Sequence, residues 1–490
     1  MRAVSPDSTR TSSEADRPPA VVLGVQLQGV SDEAFASSLT ELERLAKTLG
    51  LEVIGRVTQK RRGLGGGTVV GEGKLKELAQ YTGGLGFVPS YAPQGSQQPE
   101  SDESDESDES DESDESDESE GSEGSERDGQ GEPTEFERAA EEVEDESKPA
   151  VTVLVDQDLT PRQMRNLEKA TGVEVLDRSM VILSIFQRHA RTREAKIQVE
   201  IARLVYMAPR LREANAGSER QRGGVGGKGA GEAALELNRR GTRDRIAELR
   251  RRLVGVQREA DTQRSRRSGS SAQTIALVGY TNAGKSRLMR ALTHDRMLVA
   301  DQLFATLDTT VRMLVPETRP CILISDTVGF IKDLPHDLVA SFRSTLEEAK
   351  DANLHLHVVD AADPACRLQH DVTRKVLAEI GAAEHPCLLI LNKSDLLNDD
   401  QRAALADEFP DAVFMSARSS ADVAELHGRI QAFFERSMEE EDFIIPYDQQ
   451  AKVALLHERC RVLSERYEED GTHIRVRAPA ALLGGLRGEL

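Results

Sequence analysis

Eight consecutive residues, Gly279-Tyr280-Thr281-Asn282-Ala283-Gly284-Lys285-Ser286, constrain this 490-residue chain more than any other stretch. They match G-x-x-x-x-G-K-S, with the apolar run TIALVG before them and a helical pattern after them. A strand, a glycine-rich turn and a helix in that order wrap backbone N–H groups around an anion at the helix N-terminus. Lys285 then neutralises phosphate charge, and the Ser286 hydroxyl is placed to ligate magnesium. Such a unit belongs in a doubly wound α/β sheet, with the ligand at the carboxyl ends of the strands.

Further pieces recur in the order such a sheet requires. The apolar run CILISD leads into Asp326-Thr327-Val328-Gly329, where Asp326 would hold the metal through water and the Gly329 N–H would sense a γ-phosphate. After CLLIL comes Asn392-Lys393-Ser394-Asp395. The Asp395 carboxylate can accept both adjacent donors of guanine, whereas adenine would leave it unpaired, so the pattern selects GTP and GDP over ATP. Ser416-Ala417-Arg418, after DAVFMS, offers a backbone N–H to the guanine oxygen, and Phe304-Ala305-Thr306-Leu307-Asp308 reads as a switch segment in which Thr306 completes the magnesium shell.

Phe330 follows Gly329 at the place where many such sites carry a glutamine that orients the attacking water. A phenyl ring cannot do this. No catalytic residue is assigned, and hydrolysis is expected to be slow alone and faster when a partner orders the switch segments. Asn282, whose position resembles that in potassium-stimulated GTPases, is by that resemblance a candidate for seating a potassium ion near the β- and γ-phosphates.

The net charge of −22 is local: residues 100 to 148 hold 25 acidic and 3 basic residues, and the remainder is neutral. Six tandem SDE triplets, Ser101 to Glu118, begin this block, which has too few apolar groups to offset the entropy of ordering. It reads as a disordered acidic insert over 91–148, behind a disordered tail over 1–19. Residues 20–90 and 149–185 follow a β-α-β rhythm and are expected to form one N-terminal α/β domain, since long surface insertions cost little. Within it, RRGLGGGTVVGEGKLKELA is glycine-rich and basic but lacks the G-x-x-x-x-G-K-S spacing, which favours an RNA-facing or structural loop over a second nucleotide site.

Over 186–270, apolar stripes through Ile197, Ile201, Leu204 and Leu211 and through Ile246, Leu249, Leu253 and Val256 predict an antiparallel helical hairpin. Residues 188 to 267 contain 21 basic and 10 acidic residues, and the helices are joined by the glycine-rich SERQRGGVGGKGAGE. Bare backbone flanked by cations suits a narrow space lined by phosphates, and with no aromatic residues interleaved the target is structured RNA. A nucleotide domain over 271–438 and a small α+β domain over 439–490 complete the chain. Cys321, Cys366, Cys387 and Cys460 are widely spaced, suggesting neither zinc ligands nor disulfides. No apolar run approaches the ~20 residues of a membrane span, so a soluble, cytoplasmic monomer is expected.

GYTNAGKS, DQLFATLD, DTVGF with IKDLPHDLVASFRSTLEEA, LHVVDAADP and NKSD together resemble the HflX GTPases. The resemblance extends upstream through RNLEKATGVEVLDRSMVILSIFQRHARTREAKIQVE and downstream through IIPYDQQAKVALLHE. It implies an N-terminal α/β domain, a helical hairpin, a Ras-like P-loop G domain and a small C-terminal domain. It also implies a GTPase of the large ribosomal subunit and its RNA, in some members splitting ribosomes during stress, with the hairpin loop directed at the peptidyl transferase centre. Assembly of large subunits and ATP-driven RNA remodelling through the N-terminal domain are the alternative functions. Departures from the family pattern include GKSRLMR for GKSTLFN, and Ala230, Ala233 and Asn238 in the hairpin loop.

Overall fold

The computed structural model describes residues 17–65, 67–89, 149–219, 230–268, 273–294, 303–304, 310–332 and 348–489, with side chains of 211–219, 230–238 and 260–268 not described. The acidic insert, the tip of the hairpin loop and Ala305, Thr306, Leu307 and Asp308 lie outside these residues.

The N-terminal sheet is parallel, in the order β2-β1-β3-β4, from strands Pro19–Leu27 (β1), Glu52–Arg61 (β2), Thr152–Val155 (β3) and Glu174–Asp177 (β4). Helices cover both faces, so β1 reads as a continuous apolar run, as buried parallel strands do. Ala20 and Val22 face one core with helices Asp32–Leu49 (α1) and Arg178–His189 (α4), while Val21, Leu23 and Val25 face the other with Glu72–Thr82 (α2) and Pro161–Thr171 (α3). Each helix starts where local chemistry dictates: Ser31 caps α1, and a reciprocal Thr160–Gln163 capping box opens α3 one residue before Pro161.

The glycine-rich loop between β2 and α2 is closed on its own neighbours. Arg61 donates to the Val69 carbonyl at 2.9 Å, Gln163 to Leu64 at 2.8 Å and Asn166 to Gly67 at 2.6 Å. Three of its carbonyls are thus taken up by structural bonds within this unit.

Two long helices follow, Arg193–Glu219 (α5) and Ala230–Ser268 (α6), and Ile197, Ile201 and Leu249 join Leu204, Leu253 and Val256 in the seam between them. The next sheet has order β10-β9-β8-β5-β7-β6, built from Gln273–Gly279 (β5), Thr310–Met313 (β6), Ile322–Asp326 (β7), Leu354–Asp360 (β8), Cys387–Asn392 (β9) and Val413–Phe414 (β10). All neighbours are parallel except edge strand β6, which runs against β7. Lys285–Thr293 (α7), Cys366–Glu379 (α8), Asp399–Glu408 (α9) and Ser420–Glu435 (α10) are helices of this part among the described residues. The chain ends in an antiparallel sheet, order β11-β13-β12 (Met438–Ile445, Gly471–Pro479 and Arg461–Glu468 respectively), backed by Gln450–Arg459 (α11) and Ala480–Glu489 (α12).

One packing feature has no counterpart in the sequence reading. The core beneath α1 and α4 does not stop at the N-terminal sheet but continues into Tyr280, Leu303, Phe304, Val328 and Ile331. Phe186 and Phe304 meet edge to face with centroids 4.6 Å apart. Residues flanking the phosphate loop and the D-x-x-G stretch are therefore core residues of the N-terminal unit as well. Among the described residues no helix is long and apolar enough to cross a membrane.

Candidate nucleotide site

The site forms where β5, β7, β8 and β9 end. β5 runs straight into the turn at Gly279, whose neighbour across the sheet is Val358; a Cβ on Gly279 would lie 2.1 Å from the Val358 carbonyl oxygen. Gly284 takes the left-handed φ of 98° that launches α7, and a Cβ there would lie 2.3 Å from Asn392 Nδ2. Both glycines are thus required by strand packing and turn conformation alike.

Lys285 is buried and its ammonium donates to the carbonyls of Gly279 at 2.9 Å and Tyr280 at 2.8 Å, which hold it inside the loop. Burial pulls its pKa down to about 8, with the Asp326 carboxylate acting in the opposite sense. An anion in the loop would favour the charged ammonium and so oppose the effect of burial. Ser286 Oγ donates to Asp326 Oδ2 at 2.8 Å, and Asp326 is fully buried at the end of β7. Thr327 ties this turn to β5 through a 2.6 Å bond to the Leu277 carbonyl. Gly329 abuts the phosphate loop so closely that a Cβ would lie 2.9 Å from Thr281 Cγ2 and 3.0 Å from Lys285 Nζ. Ala283 is buried, while Asn282 is exposed with a positive φ of 60°.

Phe330 offers no donor or acceptor side-chain group with which to orient a water. Its ring is buried with Ala276, Val278, Ala349, Ala352 and Leu377 on the inner face of the sheet. Its backbone forms a parallel bridge with Tyr280.

At the other end, Asn392 acts as a brace. Its amide donates to the Ala283 carbonyl at 2.8 Å and its oxygen accepts from the Ala417 N–H at 3.0 Å, so one side chain joins the phosphate loop to the loop after β10. Lys393, at φ 63°, donates to Asp360 Oδ2 at 2.6 Å. Ser394 and Asp395 lie on a single 3-10 turn, Ser394–Leu396, with Asp395 exposed. The three amides of Ser416, Ala417 and Arg418 donate to Asp422, Asn392 and Ser416 Oγ respectively. The sequence reading offered one of these N–H groups to a guanine oxygen; in the structure each has a partner within the chain, because Asp422 and Asn392 shape the loop.

The structure therefore gathers Gly279 to Ser286, Asp326 to Gly329, Asn392 to Asp395 and Ser416 to Arg418 around one edge of the sheet. Asp360 and Asp422 are supporting residues that the sequence reading missed. Asp360 stood in view in LHVVDAADP, but its bond to Lys393 depends on β8 and β9 being neighbours.

A parallel sheet with this loop at its switch point and an N-K-x-D turn beside it defines the class of P-loop GTP-binding proteins. Residues 274–393 match the profile of a family described as 50S ribosome-binding GTPase, residues 189–267 that of the GTP-binding GTPase middle region, and residues 36–86 with 129–187 that of the GTP-binding GTPase N-terminal region. The chain is 51% identical over 95% of its length to GTPase HflX of Gluconacetobacter diazotrophicus, covering 96% of that protein. It is 34% identical to GTPase HflX of Caldanaerobacter subterraneus subsp. tengcongensis, covering 94% of this chain and 91% of that one. A GTP-binding protein of Sulfolobus solfataricus, solved in complex with GDP, is 20% identical with a TM-score of 0.39, covering 84% of this chain and 99% of that one. The chain belongs to the HflX family of GTPases.

Proposed function

We propose that this GTPase binds the large ribosomal subunit and uses GTP binding and hydrolysis to control ribosome association or dissociation under stress, as a monomer in the cytoplasm. The observation that carries the ribosomal part is the cationic helical pair. Arg240, Arg243, Arg250, Arg251 and Arg252 stand exposed on α6, and binding a phosphate backbone there would release counterions. The family profile over the nucleotide domain bears the words 50S ribosome-binding, which supports the same target.

In this reading Gly279 to Ser286 cradle the phosphates, Asp395 reads guanine, and Gly329 presents its N–H to the γ-phosphate. The pairing of Ser286 with Asp326 gives a buried set of oxygen donors that fits magnesium, with Ser286 direct, Asp326 through water and Thr306 completing the shell. Magnesium supplies charge neutralisation at the β- and γ-phosphate oxygens when bound. Asn282, exposed in the phosphate loop, would seat potassium. The water-orienting group comes from elsewhere, so hydrolysis is slow alone and faster on the ribosome.

The test is phosphate release with and without purified large subunits, alongside sedimentation of GTP-loaded protein with intact ribosomes. Stimulation by large subunits, with co-sedimentation or a shift towards free subunits, is the expected result. No association with mature ribosomes, combined with stimulation by immature large subunits, would transfer the function to subunit assembly.

A further inference from the structure

The Tyr280 side chain, in the phosphate loop, reaches towards the N-terminal unit and ends in a part-buried crossing of polar groups. Its hydroxyl donates to Glu41 Oε1 on α1 and accepts the Lys332 N–H at 2.7 Å. Glu41 is in turn held by Arg178, which also donates to Asp156 Oδ1 at 2.9 Å; both Arg178 and Asp156 are buried. Asp156 follows β3 directly and Arg178 opens α4, so the far end of this chain of bonds is fixed to the N-terminal sheet.

Lys332 lies three residues after Gly329. Between them, Phe330 is pinned by its backbone to the phosphate loop and Ile331 is buried in the core shared with α1 and α4. The segment Gly329 to Lys332 is thus held at its middle by the phosphate loop and at its downstream end by Tyr280. A hydroxyl that donates to a carboxylate is a stronger acceptor, so Glu41 tightens the grip on Lys332.

We propose that Tyr280 and Glu41 are positioning residues for GTP hydrolysis: Glu41, from the N-terminal unit, fixes the Tyr280 hydroxyl so that it holds the Lys332 N–H and presents Gly329 to the γ-phosphate already ordered. Ordering this segment in advance removes an entropic cost from the reacting complex. Tyr280 belongs to the phosphate cradle through its backbone, while its hydroxyl is spent on Glu41 and Lys332, so loss of the hydroxyl is expected to fall on turnover more than on GDP binding. The proposal rests on the reading of Gly329 as the γ-phosphate sensor.

The test uses the full-length protein and its basal single-turnover hydrolysis, with GDP affinity measured by a fluorescent analogue. Tyr280→Phe keeps the ring and removes the hydroxyl; it is expected to lower the hydrolysis rate about three- to tenfold, the range of one hydrogen bond, with GDP affinity within about twofold of wild type. Glu41→Gln is expected to lower the rate less. The double variant should match Tyr280→Phe alone, since both act through one contact. An unchanged or increased rate in Tyr280→Phe, a parallel loss of GDP affinity, or multiplicative effects would each overturn the proposal. Gly329→Ala is measured alongside: wild-type hydrolysis in that variant removes the sensor reading itself, whatever Tyr280→Phe does.

Discussion

The Thr281 N–H donates to the Phe330 carbonyl at 2.7 Å, and the Phe330 N–H donates back to the Gly279 carbonyl at 3.1 Å. The residue after the D-x-x-G glycine is thereby stitched to the phosphate loop through its backbone, while its ring fills the core behind. A side chain at 330 enters the apolar cluster of Ala276, Val278 and Leu377. Phe330→Gln is therefore expected not to accelerate hydrolysis. It would bury an amide among alanines, valine and leucine, costing about 2–4 kcal/mol of stability. Chemical denaturation and a phosphate-release assay on the same preparation check both halves.

The Asn392 brace gives a separable prediction at the base end. Asp395 is exposed on its own short turn and supports no other element, so Asp395→Asn should fold normally and lose guanine nucleotide affinity by about 100-fold or more. Asn392→Ala should instead loosen both the phosphate loop and the Ser416 loop, lowering affinity together with the melting temperature. Fluorescent GDP titration with thermal melts distinguishes the two.

Arg178 sits between Asp156 and Glu41 with almost no solvent contact. Arg178→Ala leaves two carboxylates facing each other without their cation, and is expected to destabilise the protein by about 3–5 kcal/mol in urea unfolding.

Histidines of β8 make the nucleotide sheet acid-sensitive. His357 is buried and stacks on His370 with centroids 4.9 Å apart; burial first, then the nearby His370, Lys285, Arg374 and His355, push its pKa down to about 3. The unfolded chain would bind a proton at this histidine below pH 6.5 that the folded chain refuses until about pH 3. The folded state therefore loses stability as pH falls through that window, by up to about 1.4 kcal/mol per pH unit. Urea midpoints compared at pH 7 and pH 5 should fall less in His357→Gln than in wild type.

Much of this site is local, and local features are what a sequence displays. The phosphate loop, the D-x-x-G turn and the N-K-x-D turn each follow a short apolar strand, so spacing and hydropathy together located them. The start of helix α3 is local in the same way, with Thr160 before Pro161 and Gln163 completing a capping box. What could not be read is whatever joins residues distant along the chain. Glu41 and Tyr280 are 239 positions apart, and nothing in the pattern around either one marks them as partners. Phe304 likewise reads as part of a switch segment until the fold sets it edge to face against Phe186. Phe330 shows the opposite difficulty: its position in the motif was plain, but only strand geometry decides that its ring faces inwards.

The chain enters and leaves the region of the SDE repeats at two closely tied points. Ala150 donates its N–H to the Tyr81 carbonyl at 2.8 Å, and Val151 donates to the Pro19 carbonyl at 2.9 Å, so α2 and β3 are laced together on the sheet's own backbone. The crossover is closed by these bonds and not by what lies between its ends. That makes it a socket: at a seam closed by its own backbone bonds, lengthening or shortening the stretch that joins the two ends costs little.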